Sequence, residues 1–172
     1  DSSVLASPIM YPNDVRLLYK ALGKLGPFAQ QQRLPLWWDL DTLKSRWRAF
    51  NLSQAKERQS YLREFSTLFV PALDAFRTSA TVLAMSEKQR EGALKLLSVL
   101  TLLETQTQQT LAGHLHIDHR LVSLDDLDAR PIKRGKTHPS TEFGTTIHMT
   151  FNRQGFMITT ENFIGHPNDT TL

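Results

Sequence analysis

Acidic side chains are the first residues of this chain whose type could do chemistry. Asp1 stands directly before the apolar run SSVLA, and Asp125, Asp126 and Asp128 lie close together in a polar stretch. Carboxylates suit Mg²⁺, because this ion prefers hard oxygen ligands and keeps several waters. An aspartate at a chain end is usually solvated, and aspartates in a loop usually form turns. A turn is therefore the favoured role of the second group, and a metal role for Asp1 stays open.

Histidines form a second group, because HLHIDH brings His114, His116 and His119 together in sequence. Such a cluster could indicate zinc. The chain has no cysteine to complete a thiolate site. His116 and His119 also lie beside the end of a predicted helix, where cationic side chains are favourable without any metal. We therefore assign no zinc site to these residues.

Basic residues form a third group, in the stretch ARPIKRGK. Arg130, Lys133, Arg134 and Lys136 fall within seven residues of what is predicted to be a polar loop. One interpretation is contact with DNA phosphates, where each neutralised phosphate adds affinity that depends on salt. The alternative is a solvated loop, which is the usual role of a run of charges. Both interpretations stay open on the residues alone.

Aromatic residues are concentrated in LWWDLDTLKSRWRAF, which contains Trp37, Trp38, Trp47 and Phe50. Exposed aromatic rings could stack on nucleic-acid bases. Rings at helical spacing more often belong to a core or to a subunit interface. We therefore predict a core or interface role for this segment.

These residues must be positioned by secondary structure, and the first predicted elements are a strand and a helix. Ser2–Ala6 is typical of a strand, and Asn13 or Asp14 can cap the helix that follows. Gly26 with Pro27 is predicted to end this helix, and residues 28–36 to form a loop. A stripe at helical spacing supports the helix: Val15, Leu18, Leu22 and Leu25.

The middle of the chain is predicted to be helical. Pro71 should kink one long helix or split it, because proline lacks a donor and clashes with the preceding turn. Ser86 and Gln89 match a capping box, and a leucine-rich helix should follow as far as about Gly113. Residues 38–113 are thus a block of three or four helices, two of them long enough to pair. We expect this block to pack on itself and to melt cooperatively alone.

The last third of the chain is predicted to form strands. Residues 121–124 are a short apolar run, followed by the polar basic loop. TTIHMTF and GFMITTENF then alternate apolar and polar residues, and NRQG between them indicates a β-hairpin.

Bulk composition limits the class of protein. The chain has 172 residues, 40% hydrophobic and 22% charged, which is an ordinary globular composition. Absence of cysteine excludes a disulfide scaffold and a cysteine nucleophile. The net charge of +3 permits an anionic partner, and no apolar run reaches the ~18 residues of a membrane helix. We predict an α/β fold of mixed α+β type, divided at 1–37, 38–113 and 114–172.

Three segments, in this order, resemble bacterial insertion-sequence transposases of the DDE type. DSSVLASPIMYPNDVRLL resembles their first catalytic strand, in which an Asp precedes Ser or Thr and hydrophobic residues, and a Tyr-Pro-x-Asp stretch opens a helix. RLVSLDDLDARPIKRGKTHPSTEFGTTIHMTF resembles their Arg-(Val or Ile)-Val-Ser run, Gly-Lys loop and Glu-Phe-Gly strand start. GHPNDTTL resembles their Gly-Asn-Pro-x-Asp turn. The matches cover roughly the first 20 and the last 55 residues, and the helical block is similar only in character.

The resemblance implies a partial RNase H-like core that is interrupted by helices after its first strand. In the strand order of that core the first three strands are neighbours, so we expect the strand at Val4 to pair beside residues 121–124 and 145–151. It implies that Asp1 is the first of three catalytic, metal-binding carboxylates, and that the other Asp and the Glu lie beyond Leu172. The chain would be an internal segment of a longer parent protein that uses Mg²⁺ or Mn²⁺, an ion which this segment alone would not bind tightly. The implied partners are the DNA of the element ends and of the target, bound by a homo-oligomer in the bacterial cytoplasm, at the nucleoid.

A different class of function remains as the alternative. The chain could be a non-enzymatic helical module, with a small sheet, that binds DNA or dimerises. Continuation of the reading frame into a strand bearing Asp, and then a helix bearing Glu, would separate the two interpretations.

Overall fold

A computed structural model describes residues 2–6, 13–31, 38–82, 86–114, 116–133 and 141–164. It confirms the mixed α and β class, with helices and an antiparallel sheet. The elements are β1 (Ser2–Ala6), α1 (Asp14–Gln31), α2 (Leu40–Leu52), a short 3₁₀ turn (Ala55–Glu57), α3 (Arg58–Val82), α4 (Glu87–Leu111), β2 (Arg130–Lys133), β3 (Thr141–Phe151) and β4 (Met157–Phe163).

The chain divides into two compact units. The helical unit is Asn13–Asp118, and the sheet unit combines Asp1–Pro12 with His119–Leu172. These limits differ from the expected divisions at 37 and 113, because α1 packs chiefly on α3 and so belongs with the other helices. The apolar stripe of α1 supplies the reason, since Leu18 and Leu22 are completely buried.

The first helix is longer than the sequence predicts. It continues through Pro27 to Gln31, so the predicted end at Gly26-Pro27 was wrong. The predicted loop at residues 28–36 was wrong for 28–31, and residues 32–36 lie outside the described residues. Pro27 removes only the hydrogen bond to the carbonyl of Gly23, and both residues are exposed, so water can reach that carbonyl. Beyond the proline, Phe28 packs edge-on against Phe76 with ring centroids 4.5 Å apart. This packing favours continuation of the helix over the local signal to stop.

The third helix is continuous through Pro71, so of the two predicted effects, a kink or a split, the split is wrong. The carbonyl that loses its donor is that of Thr67, and Thr67 and Pro71 both face solvent. The buried stripe of α3 lies on the opposite side of the helix and includes Phe65, Phe69 and Phe76. Proline is therefore tolerated where its missing bond can be replaced by water.

The two long helices of 25 residues each pack on each other, as predicted. The capping box at the start of α4 is confirmed, since the backbone N–H of Ser86 donates to Gln89 Oε1 at 3.1 Å. Farther along, Arg77 Nη2 of α3 donates to Glu104 Oε2 of α4 at 3.2 Å. Leu100 and Leu103 are completely buried, so the second half of α4 forms more of the core than the first.

In the sheet, β3 pairs antiparallel with each of the other three strands. Val4 of β1 lies opposite Thr146, so the predicted pairing of the first strand with residues 145–151 is confirmed. The expected strand at 121–124 was wrong, because these residues have no strand structure. All four are buried in succession, without the alternation of a strand that has one solvated face. The strand that pairs with the start of β3 is instead β2, in a stretch that was predicted to be loop.

The predicted β-hairpin of β3 and β4 is confirmed. Its turn is organised by Asn152, whose Oδ1 accepts hydrogen bonds from the backbone N–H of Gln154 at 3.0 Å and of Phe156 at 2.9 Å. Gly155 has a φ of +82°, which favours glycine at this position. The turn sequence therefore fixes the register of the hairpin locally.

Two glycine-to-alanine substitutions should change the free energy of unfolding in opposite directions. Gly155→Ala forces an L side chain into the left-handed region, which costs about 1–2 kcal/mol, so we expect destabilisation. Gly23 lies inside α1, and a Cβ there would meet no atom within 4 Å. Because alanine is the better helix former, Gly23→Ala should stabilise by about 0.5–1 kcal/mol. Urea denaturation measures both changes, and shifts of the same sign would contradict the assigned backbone conformations.

Candidate functional site

The proposed catalytic residue precedes an ordered strand. Asp1 lies outside the described residues, and β1 begins at the next residue, Ser2. Ser2 lies opposite His148 of β3, and His148 lies opposite Glu161 of β4. The Nδ1 atom of His148 is buried and has no hydrogen-bond partner among the described residues. The end of β1 that follows Asp1 is thus held against the middle of a long central strand.

Two of the four predicted DNA-binding residues lie in a strand and not in the predicted loop. Arg130 and Lys133 lie in β2, and Arg134 and Lys136 fall outside the described residues. Alternation along the strand places Arg130 on the side of the buried Ile132, and the exposed Lys133 on the other side. Arg130 Nη1 donates to the carbonyls of residues 127 and 129, at 2.7 and 2.8 Å. Of this pair, Lys133 is the better placed for phosphate contact.

The acidic stretch before β2 forms a turn. The hydroxyl of Ser123 accepts hydrogen bonds from the backbone N–H groups of Asp125 and Asp126, at 3.1 and 3.2 Å. Asp126 Oδ1 in turn accepts from the backbone N–H of Ala129 at 3.2 Å. The turn role predicted for these aspartates is therefore confirmed for Asp126.

No group of three or more His, Cys, Asp or Glu side chains is placed to hold a metal ion in the described ranges. That statement covers His114, His116 and His119 as well as the acidic turn. The carboxylates of the described residues thus do not by themselves make the ligand set that Mg²⁺ would need. Asp1, the ligand implied by the resemblance, lies outside these ranges.

The aromatic residues in the second helix and just before it mostly pack inside the helical unit. Trp38 and Phe50 are buried, as predicted for a core role, and Trp37 lies outside the described residues. Trp47 is half-buried and stacks on Tyr19 of α1, with centroids 5.2 Å apart and an interplanar angle of 10°. It also stacks on Phe50 at 5.5 Å. These contacts join α1 and α2 and occupy the indole of Trp47.

A cleft of about 540 Å³ lies between α2 and α3. Trp38, Leu43 and Phe65 contribute apolar walls, and Arg46 and Glu64 line it as well. Arg46 Nε lies 2.8 Å from Glu64 Oε1, so the two charges neutralise each other. Asp39 lines the cleft too, so the net charge of its walls is negative.

A buried polar network that the sequence did not reveal joins the two ends of the helical unit. Asp14, at the start of α1, is only 5% exposed. Its Oδ1 accepts from Gln106 Nε2 at 2.6 Å, and its Oδ2 accepts from the hydroxyl of Thr110 at 2.7 Å. Asn13 is the residue that caps α1, by accepting from the backbone N–H of Arg16 at 2.7 Å.

The sequence signal for this network was weak. Gln106 and Thr110 are four residues apart on a leucine-rich helix, which places two polar side chains on one face. Nothing local indicates that their partner lies 92 and 96 residues earlier. Asp14 itself has the ordinary appearance of a residue in the first turn of a helix.

Comparisons of this chain with protein-family models, with curated proteins and with solved structures return no match. In the described part of the chain, no helix combines the length and the apolar character that crossing a membrane requires.

Proposed function

We propose that this chain is a segment of a DDE transposase, whose longer parent protein cleaves DNA and transfers strands during transposition of an insertion sequence. The observation that carries the proposal is the pairing of β1 with β3. Ser2–Ala6 lies antiparallel to residues 144–148, and the whole helical unit separates the two strands in sequence. This order supports the resemblance, which implies a strand that follows the first catalytic Asp, then helices, then further strands of the same sheet.

The proposed chemistry is phosphoryl transfer. Water, or a DNA 3′-hydroxyl, loses a proton as its oxygen attacks a phosphodiester in line. A new P–O bond forms while the opposite P–O bond breaks, and the leaving oxygen takes up a proton. Two bound Mg²⁺ ions would stabilise the attacking and leaving oxygens. In this chain, β1 would hold the backbone next to Asp1 against β3, so that the carboxylate is presented from an ordered sheet. Arg130 and Lys133 lie in the same sheet unit and would contact DNA phosphates, together with Arg134 and Lys136.

The alternative function is a non-enzymatic helical module that binds DNA or dimerises. One observation favours it, because the helical unit has its own core of completely buried side chains, such as Phe69, Leu73 and Leu100. Such a unit does not need the sheet to bury its apolar stripes. The two proposals differ in whether DNA is cut.

We expect the 172-residue chain alone neither to nick nor to join DNA. The described residues lack a group of acidic side chains that could hold a metal, and one further carboxylate at Asp1 would not suffice for two ions. The longer parent protein should nick a supercoiled plasmid carrying the element ends when Mg²⁺ is present. Agarose gels of plasmid incubated with each protein measure the conversion.

Variants of the parent protein test the role of Asp1. Asp1→Asn should lower cleavage on the order of 10²–10⁴-fold, because metal stabilisation of the transition state contributes several kcal/mol. Asp41→Asn removes one charge from an exposed position and should leave cleavage unchanged. Metal-dependent nicking by the 172-residue chain, or full activity of the Asp1→Asn parent protein, would contradict the catalytic role of Asp1.

A further inference from the structure

The first two helices lie side by side and run in opposite directions. Tyr19, in the first half of α1, stacks on Trp47, in the second half of α2. Gly26, in the second half of α1, is near the first residue of α2, since a Cβ built on it would lie 3.9 Å from Leu40 Cδ2. The two helices therefore share a long surface that is open to solvent on the side away from the core.

Basic residues border this surface on both helices. Successive residues of a helix are turned by about 100°, so residues four apart project from one side. Arg16 and Lys20 flank Tyr19 on α1, on the side away from the buried Leu18, and both are half-buried. Two basic residues of α2 lie on the same surface. We call the four residues together the α1–α2 basic face: Arg16, Lys20, Lys44 and Arg48.

The two residues from α2 are fully accessible. Lys44 and Arg48 are exposed, and helical spacing places both on the side of Trp47 that is away from Arg46 and its partner Glu64. Neither makes an ion pair with another described residue, and the guanidinium of Arg16 makes none either.

The two helices carry more positive than negative charge, since each has three basic residues and one acidic residue. The acid of α1 is Asp14, which is buried and bonded to Gln106 and Thr110. The acid of α2 is Asp41, which is exposed on the same side of the helix as Lys44 and Arg48 and offsets part of their charge. The net charge of the face remains positive, and a positive surface attracts an extended polyanion.

The spacing of the charges fits a phosphate backbone. Residues four apart on a helix are separated by about 6 Å along its axis, and packed helices lie about 8–10 Å apart. The basic face is thus two rows of cations on a surface of roughly the size of a few nucleotides. Duplex DNA carries one negative charge for about every 1.7 Å of its axis, so several phosphates would lie within reach.

The aromatic contacts favour a duplex over a single strand. Single-stranded nucleic acids are held largely by bases stacked on exposed aromatic rings. Tyr19 and Phe50 already stack on Trp47, and Tyr19 is itself half-buried. With these rings engaged in contacts inside the protein, charge is what this surface offers to a partner.

We infer that the α1–α2 basic face binds the phosphate backbone of duplex DNA without reading its base sequence. The inference deepens the proposed function, on which it rests for the identity of the polyanion as DNA. It adds a surface in the helical unit to the residues proposed around β2. No single stretch of sequence contains these cations, because 24 positions separate Lys20 from Lys44.

A double substitution in the full chain tests this surface. Lys44→Gln with Arg48→Gln removes two exposed charges, and Lys88→Gln with Arg90→Gln is the matched control on α4. Both control residues are exposed and make no ion pair with a described residue, so the loss of charge is the same. Fluorescence anisotropy of a labelled duplex, measured at several salt concentrations, gives the affinity and its salt dependence.

The expected result is a change in slope. Each phosphate contact contributes about 0.9 to the slope of log affinity against log salt, so the first variant should lose about 1.8. A fourfold rise in salt should then weaken the wild-type chain about twelvefold more than this variant. The control should keep the wild-type slope, and circular-dichroism melting should show that both variants remain folded.

Several outcomes would overturn the inference. One is an equal change of the salt slope in the two variants, and another is no change of the slope in Lys44→Gln/Arg48→Gln. Tighter binding of single strands than of duplex, or binding to phosphatidylserine vesicles in place of DNA, would also contradict it. The failure of this surface is distinguishable from failure of the proposed function. If the parent protein cuts DNA and Lys44→Gln/Arg48→Gln keeps the wild-type slope, only the surface is wrong. If the slope falls as expected and the parent never cuts DNA, the surface stands and the transposase assignment is wrong.

Discussion

A fragment of residues 38–113 should fail to fold, whereas a fragment of residues 13–118 should melt in one cooperative transition. The sequence led us to expect that 38–113 would fold alone, and the structure changes that expectation because α1 supplies much of the core. Its buried apolar residues, with exposures of 7% or less, are Val15, Leu17, Leu18, Ala21, Leu22, Leu25 and Ala29.

The magnitudes decide the outcome. Burial of one leucine side chain contributes about 1.5–3 kcal/mol, so the four leucines of α1 alone contribute about 6–12 kcal/mol. The free energy of unfolding of a whole domain is only about 5–15 kcal/mol. Removal of α1 therefore takes away most or all of the margin, and it exposes the face of Phe76 that packs on Phe28.

Far-UV circular dichroism of the two fragments checks this prediction. The longer fragment should give a helical spectrum and a sigmoidal melt, and the shorter one a weak signal that falls without a transition. Leu18→Ala in the longer fragment is an intermediate case, with an expected loss of about 2–5 kcal/mol. A sigmoidal melt of 38–113 at the temperature of the longer fragment would show that α1 is not part of the cooperative core.

Asp14→Ala should lower the free energy of unfolding of the helical unit by about 3 kcal/mol. The substitution removes the acceptor for Gln106 and Thr110, and Gln106 is only 4% exposed, so water cannot easily replace the carboxylate. Hydrogen bonds to a charged group contribute about 1.5–3 kcal/mol each and are not additive. The carboxylate also lies at the start of α1, where the helix dipole favours a negative charge.

Asp41→Ala is the matched control for this prediction. Asp41 also lies in the first turn of a helix, but it is exposed. Its loss removes only the interaction with the helix dipole, about 0.3–1 kcal/mol. Urea denaturation of the two variants gives the comparison. Similar losses in both would mean that the dipole explains the whole effect and that the network contributes nothing beyond it.

Local patterns predicted the local elements well. The turn NRQG and the alternating residues on either side predicted the β-hairpin, because Asn152 and Gly155 act within a few residues of each other. The capping box at Ser86 likewise marked the start of α4. These features depend on contacts that are close in sequence, so the sequence alone was sufficient.

Features that depend on distant contacts were missed. Pro27 looked like a stop, because the packing of Phe28 on Phe76 cannot be read from the neighbourhood of the proline. The strand β2 is short, contains Pro131, and has one completely buried residue, Ile132, so it resembled a loop.

The candidate site also combines features that local sequence predicts with features that depend on distant contacts. The resemblance, and not any local pattern, predicted that β1 would pair with residues 145–151. The proposed roles of Asp1, Arg134 and Lys136 remain predictions, since these residues lie outside the described ranges. Asp14 and the α1–α2 basic face each combine residues from separate helices, which is why no single stretch of sequence revealed them.

The network at Asp14 also has a consequence for the order of folding. Pairing of Ala6 with Gly144 in a disordered chain must close a loop of about 138 residues. Once Asp14 is bonded to Thr110, only about 42 residues of chain separate the same pair, eight before the network and 34 after it. The entropic cost of loop closure grows with the logarithm of length, so this shortening lowers it by about 1 kcal/mol. Early folding of the helices would thus speed the assembly of the sheet by roughly sixfold, because the folded helical unit shortens the loop that the strands must close.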